Sequence, residues 1–373
     1  MKVVAAIDSF KGSMTSMEAG NAVKKGILAA KPDAEVVVKP LADGGEGTVD
    51  ALIEGLGAEK IPVTVAGPLG EKVSCYYGFL EETKTAVMEM ASAAGITLVT
   101  KKDPLRASTY GVGEMIADAL KRGCKNFMIG IGGSATNDGG IGMLKALGFE
   151  FFDEDGNDVG EGAAALAKIE VIRTENKNPL LSGTKFQIAC DVKNPLCGKQ
   201  GATYIFGPQK GVTEEQKEQV DEAMRHYADV TKESLDCDFA DCEGAGAAGG
   251  LGYAFLSYLA GELIPGVELI LQATGLEEKM KNADVVVTGE GRLDAQTVMG
   301  KAPAGVAALA KKYNAKVIAF AGSVAPEAKV CNRAGIDAFF PIVRGVTTLE
   351  EAMKKENAME NIAATAEQVF RLL

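Results

Sequence analysis

Acidic side chains set among glycines, with a lysine or an arginine close by, are the residues of this chain best suited to chemistry on a phosphate or another small anion. Four segments have this character, and each follows an apolar run. IDSFKGS, residues 7 to 13, puts Asp8, Ser9 and Lys11 just ahead of a helix pattern whose first N–H groups favour an anion. PLADGGEGT, residues 40 to 48, sets Asp43 and Glu46 around Gly44 and Gly45, and glycine lets a phosphate or metal ion come close to the backbone. GIGGSATNDGGIG, residues 130 to 142, can curl its backbone N–H groups into a concave anion nest from Gly132 and Gly133 to Asn137. Ser134, Thr136 and Asn137 would donate there, with Asp138 available to a metal or a proton. TGEGRLDAQT, residues 288 to 297, alternates Glu290, Arg292 and Asp294, and a guanidinium grips a carboxylate or phosphate with two parallel hydrogen bonds.

Two further stretches carry candidates. CDVKNPLCG, residues 190 to 198, places Asp191, Lys193 and Asn194 directly after the apolar FQIAC. Partial desolvation at that strand end would raise the proton affinity of Asp191 and suit it to act as a general base. GAGAAGGLG, residues 244 to 252, is small enough either for close helix packing or for backbone contact with a ligand. The chain has one histidine, His226, in the polar helical EAMRHYADV, so acid and base work falls to a carboxylate or a lysine.

A nicotinamide-dependent oxidoreductase acting on a small hydroxy acid is the rival reading. Gly244, Gly246 and Gly249 satisfy GxGxxG but follow DFADCE, which is no strand; Gly130, Gly132 and Ala135 satisfy GxGxxA with Glu150 downstream, but TNDGG starts a helix poorly and would crowd a pyrophosphate with acid. A GxxxxGK[ST] phosphate loop and the HRD and DFG signatures of protein kinases are absent.

The elements that must position these residues read as α/β. Val3 to Ile7 and Glu35 to Lys39 are strand candidates, separated by a helix that opens with Thr15 and Glu18 at capping-box spacing. The rhythm returns with strands at Asp284 to Thr288, Lys316 to Ala321 and Ala338 to Val343. Between them, Ile61 to Val65, Val73 to Phe79 and Thr85 to Met90 are joined by short turns, an antiparallel pattern. The fold class expected is an open parallel sheet of Rossmann-like or flavodoxin-like type, residues 1–60 and 280–373, with a second mixed α/β domain, residues 61–279, inserted in it. Residues 105–132, a helix and a strand, could also belong to the parallel sheet. Ligands of such a sheet sit beyond the carboxyl ends of its strands, here in a cleft facing the insert.

Composition excludes several classes. With 373 residues, 47% apolar and 24% charged, the chain is globular and long enough for two domains. A net charge of −12 and a pI near 4.9 argue against nucleic acid and anionic membranes as partners. No uncharged apolar run of spanning length occurs, and the N-terminus reads directly into a strand rather than a signal peptide, so a cytoplasmic location is expected. Seven cysteines are scattered without metal-ligand spacing and read as reduced thiols.

Taken in order, DSFKGS, PLADGGEGT, GIGGSATNDGG, CDVKNPL, GAGAAGGLG and TGEGRLDAQT resemble the bacterial glycerate kinase family, from the first strand to the last helix. The resemblance implies two different α/β domains, ATP and D-glycerate as substrates, Mg²⁺ dependence and a phosphoglycerate product, with the 2-position preferred over the 3-position. Phosphoryl transfer asks mainly for positioning and charge neutralisation, and from the motifs Lys11 and the Gly132 to Asn137 nest are expected to hold phosphates, together with Gly44 and Gly45. Asp43, Glu46, Glu290 or Asp294 would hold the metal, and Arg292, with Asp8, Ser9 and Asn194, the glycerate. Asp191 is expected as the base, with Asp138 its alternative. Homo-oligomerisation is left open.

Overall fold

The computed structural model describes residues 1–42 and 48–373. Thirteen strands are found among the described residues: β1 Lys2–Ile7, β2 Glu35–Pro40, β3 Glu59–Ala66, β4 Lys72–Leu80, β5 Thr85–Glu89, β6 Asn126–Gly130, β7 Glu150–Phe152, β8 Val171–Arg173, β9 Lys185–Ala189, β10 Glu262–Ile264, β11 Val285–Leu293, β12 Lys316–Val324 and β13 Ala338–Pro341. The chain divides into two compact units, residues 1–58 with 266–373, and residues 59–265.

The first unit is a five-stranded sheet in the order β13-β12-β11-β1-β2, with every pair parallel. Read from the other edge this is 2-1-3-4-5 in chain order within the unit, the doubly wound flavodoxin-like arrangement. β1 is buried from Val3 to Ile7 because it lies in the sheet interior and is covered on both faces, which is why VVAAI reads as an unbroken apolar run. Val3, Ala5 and Ile7 share a core with the helices Ser16–Ala30 and Lys355–Arg371. Those helices cross so closely that a Cβ on Gly26 would lie 2.0 Å from the Ala363 carbonyl oxygen, so glycine is required there. Thr15 caps the first of them with Glu18 in a reciprocal capping box.

Strand order reverses between β1 and β11, and sheets of this kind hold ligands beyond the carboxyl ends of the strands at such a switch point. A buried serine fixes the exits of β1 and β2 relative to each other. Ser16 Oγ donates to the Ile7 carbonyl at 2.6 Å and accepts from the Leu41 N–H at 2.8 Å.

The second unit has a six-stranded sheet, β10-β9-β6-β5-β4-β3, parallel from β10 to β5 and antiparallel from β5 to β3. β7 and β8 form a separate antiparallel pair. β6 sits between β5 and β9, so the helix and strand of residues 105–132, which sequence left between two domains, belong to this unit. The unit ends at Pro265 rather than near 279. The helices Gly266–Ala273 and Leu276–Met280 pack with the helix Ala302–Lys311 of the first unit's sheet, with Val267 Cγ1 lying 2.3 Å from where a Cβ on Gly305 would be. No helix among the described residues is long and apolar enough to cross a membrane.

Candidate functional site

Four of the five parallel strands of the first unit end around one cavity of about 750 Å³. Asp8, Ser9 and Lys11 follow β1, Glu290, Arg292 and Asp294 lie at the end of β11, Ser323 is on β12, and Ile342 and Val343 follow β13. Lys11 and Arg292, 281 positions apart in sequence, therefore line the same space. Asp43, Gly44, Gly45 and Glu46 lie outside the described residues.

The turn after β1 is built locally. Met14 N–H donates to the Phe10 carbonyl and Phe10 N–H to the Met14 carbonyl, with Gly12 at φ 77° closing the loop. Asp8 is buried, its N–H donating to the Gly289 carbonyl at 2.9 Å and its Oδ1 accepting from the Ser9 N–H at 2.7 Å. This seats the Asp8 carboxylate at the switch point between β1 and β11.

The acidic pair at the end of β11 is held by residues just downstream, Thr297 and Lys301. Glu290 is buried, and its Oε1 accepts from the Thr297 hydroxyl at 2.6 Å while Oε2 faces Lys301 Nζ at 3.5 Å. Burial pushes its carboxyl above the ordinary carboxylate value, and the Thr297 hydroxyl and Lys301 charge pull it back. Asp294 caps the short turn Ala295–Val298, accepting from the Gln296 N–H at 2.9 Å, and lies 3.9 Å from Lys301 Nζ and 3.7 Å from Arg292 Nε. The Arg292 side chain is 67% exposed and so free to meet a ligand. Lys301, which sequence reasoning missed, completes three cations facing three acids. Its signal was available as a lysine at the N-cap of the next helix, four residues beyond the TGEGRLDAQT motif.

No group of three or more metal-ligating side chains converges among the described residues. Magnesium does not ask for one, since it is commonly held by one or two carboxylates together with substrate phosphates. Glu290 and Asp294 fit that pattern, each keeping lone pairs beyond the bonds described.

In the second unit the glycine-rich loop after β6 is partly an exposed turn and partly an internal brace. Gly132 and Gly133 are exposed, Gly133 at φ 72°, with open space where a Cβ on Gly132 would point. Ser134 is nearly enclosed and bridges to Gly95. Thr136 and Asn137 are fully buried. The Thr136 carbonyl accepts from Lys210 Nζ at 2.6 Å, and Asn137 Nδ2 donates to Thr203 Oγ1 at 3.0 Å. Thr136 and Asn137, expected to donate to phosphate, are thus turned inward, and only Gly132 and Gly133 of the segment are exposed.

Asp138 is fully buried and takes four hydrogen bonds: from the Thr109 N–H and hydroxyl, each at 2.8 Å, and from the N–H groups of Gly140 at 3.2 Å and Gly142 at 3.3 Å. Burial raises its proton affinity against those bonds. A carboxylate so committed ties the loop to the helix Ile141–Ala146, and that commitment removes it from access to a substrate hydroxyl.

Lys210 carries no sequence signal for its role, because a lysine in YIFGPQKG reads as surface. It is fully buried, and desolvation lowers its pKa to about 7, with the Asp138 charge opposing the fall.

Asp191 is exposed at the carboxyl end of β9 rather than partly desolvated as expected. The Asn194 side-chain amide is engaged with the Gln200 carbonyl at 2.7 Å, a bond internal to its own loop. The GAGAAGGLG segment is a packing device. A Cβ on Gly246 would lie 2.2 Å from the Pro195 carbonyl oxygen, and one on Gly249 2.2 Å from that of Thr136. The other glycine pattern follows β6, but its helix starts only at Ile141, too far on for a dinucleotide turn. His226 holds the Ile169 carbonyl at 2.8 Å.

Known proteins resemble the chain along nearly its whole length. The glycerate kinase family model matches residues 3–373. A glycerate kinase of Bacillus subtilis is 44% identical over 371 residues, covering 99% of this chain and 97% of that one. A glycerate 2-kinase of Escherichia coli is 45% identical over 372 residues, covering 98% of each. The crystal structure of a Salmonella typhimurium LT2 protein given the provisional name glycerate kinase 2 matches with a TM-score of 0.91 at 43% identity, covering 99% of this chain and 97% of that one. With likeness running from the first strand to the last helix, the chain belongs to the glycerate kinase family and is a phosphotransferase with an alcohol group as acceptor.

Proposed function

We propose that the chain transfers the γ-phosphoryl group of ATP to the 2-hydroxyl of D-glycerate, with magnesium and a carboxylate base. The observation that carries the reading is the convergence of Lys11, Arg292 and Lys301 with Asp8, Glu290 and Asp294 around one cavity at the sheet's switch point. Phosphoryl transfer asks mainly for positioning and for neutralisation of charge on the transferred oxygens, and this set supplies both. Lys11 and Lys301 hold phosphate oxygens, and the exposed Gly132–Gly133 turn of the second unit has backbone N–H groups suited to an anion. The planar fork of Arg292 takes the glycerate carboxylate. Glu290 and Asp294 would hold the magnesium ion, which, when bound, neutralises developing charge on the phosphates.

Of the two carboxylates weighed as base, Asp191 is the assignment, since Asp138 is enclosed by its own donors. Preference for the 2-hydroxyl is supported by the Escherichia coli relative, whose name specifies that position. The oxidoreductase alternative gains no support from the glycine patterns, neither of which forms the required strand-turn-helix. The test is coupled ADP release with D-glycerate and MgATP, followed by NMR of the product. Phosphate on the C2 oxygen is the expected result. Phosphate on the C3 oxygen overturns the regiochemistry, and no ADP release overturns the function.

A further inference from the structure

The cavity is too large and too apolar on one side for the groups assigned so far. Its roughly 750 Å³ is space for on the order of 25 waters at about 30 Å³ each, several times what a three-carbon acid fills. A volume of this size is typical of sites for drug-sized ligands, which are lined mostly by apolar side chains with a few placed polar groups. Here all the charged groups come from the ends of β1 and β11 and the segment just after β11, whereas the β13 side, whose polar groups are the hydroxyls of Thr347 and Thr348, supplies Ile342, Val343, Leu349 and Ala352. Glycerate has no apolar surface to set against them.

Two of the apolar side chains are conspicuously placed. Leu349 is 75% exposed and Met353 36% exposed on the short helix Leu349–Met353, beside a charged cluster. Met353 also reaches the loop after β1, its Cε lying 3.0 Å from where a Cβ on Gly12 would stand. It thus bridges the apolar and charged parts of the wall with a flexible, polarisable thioether suited to an aromatic ring. From β13 to β1 are three strand spacings, about 14 Å at ~4.8 Å each. That is the reach of an extended nucleoside triphosphate.

We propose that the β13 side of this cavity, walled by Ile342, Val343, Leu349 and Met353, binds the purine base and ribose of the nucleotide. The triphosphate then runs across the sheet toward Lys11, Lys301 and Arg292, which brings the terminal phosphate to the acids of β11. The inference rests on the reading of ATP as phosphoryl donor and adds where, and by which residues, its base is held. The exposed helix is then a binding surface that sheds water only when the base covers it.

The test separates base from phosphate. Leu349→Gln/Met353→Gln replaces two exposed side chains by neutral polar ones of similar length, which the fold tolerates. Calorimetric titration with the non-hydrolysable adenylyl imidodiphosphate, in the presence of magnesium, should show affinity reduced roughly tenfold or more, as expected for two lost apolar contacts. Inorganic tripolyphosphate, which lacks a base, should bind wild type and variant alike. Unchanged affinity for the nucleotide analogue overturns the proposal. Equal loss for both probes also overturns it, because the substitution then disturbs the phosphate site rather than the base. Wild-type ADP release with D-glycerate, measured alongside, judges the donor reading independently: a wild type that binds the analogue but releases no ADP sinks the kinase reading and leaves the pocket standing.

Discussion

Lys210→Met should change stability by an amount that depends on pH. The ammonium is fully buried and donates to the Thr136 carbonyl at 2.6 Å, and desolvation brings its pKa from 10.5 to about 7. Because the folded value lies below the unfolded one, between pH 7 and 10.5 the unfolded chain holds a proton that the native chain lacks. Stability therefore rises with pH across that window, by up to about 1.4 kcal/mol per unit, and is lost as pH falls toward 7. Integrating between those two values gives a penalty of about 4 kcal/mol at pH 7 and about 2 kcal/mol at pH 9. The methionine variant removes the penalty but leaves the Thr136 carbonyl unpaired, at a cost of about 1–3 kcal/mol. The variant should thus be the more stable protein at pH 7, by about 1–3 kcal/mol, and nearly equal to wild type at pH 9. Urea denaturation at the two pH values, with ionic strength held constant, reads the difference. Curves that stay parallel, with a stability gap unchanged within about 0.5 kcal/mol, would refute the reasoning. The variant should also phosphorylate glycerate more slowly despite its stability, since the loop that presents Gly132 and Gly133 loses its internal clamp.

Other substitutions probe the remaining parts of the account. Arg292→Lys replaces a planar fork by a point charge and should raise the KM for glycerate roughly tenfold, equivalent to about 1.4 kcal/mol; a KM that stays put makes Arg292 structural or a phosphate ligand. Asp191→Asn should lower kcat by about 10²- to 10⁴-fold while the affinity for adenylyl imidodiphosphate holds, and undiminished turnover removes Asp191 as the base. Ser16→Ala strips the partner from two buried backbone groups, the Ile7 carbonyl and the Leu41 N–H, and should cost about 2–4 kcal/mol in urea denaturation. A loss below about 0.5 kcal/mol would show that the β1 and β2 exits are held by other contacts.

What the sequence made legible is what local chemistry dictates. VVAAI could only be an interior strand, and the acidic, glycine-rich segments could be placed at strand ends before any coordinates, because each follows an apolar run. Motif order did the rest, joining Lys11 to Arg292 across the insertion. Features that stayed hidden depend on packing at a distance. Lys210 looks like any surface lysine until the second unit closes around it, and Asp138 looks catalytic until Thr109, Gly140 and Gly142 are seen to consume it. The apolar wall from Ile342 to Met353 has no motif, since a base-binding surface needs only shape and hydrophobicity. The unit boundary at 265/266 escaped notice because the helices just past it are ordinary in composition and declare their allegiance only by packing near Gly305.

The most direct measurement is a crystal structure of the protein with adenylyl imidodiphosphate, magnesium and D-glycerate. The account predicts the nucleotide in the cavity of the first unit, its base against Leu349 and Met353, its phosphates at Lys11 and Lys301, and the glycerate carboxylate on Arg292. A nucleotide bound elsewhere, with that cavity holding only solvent, would contradict it.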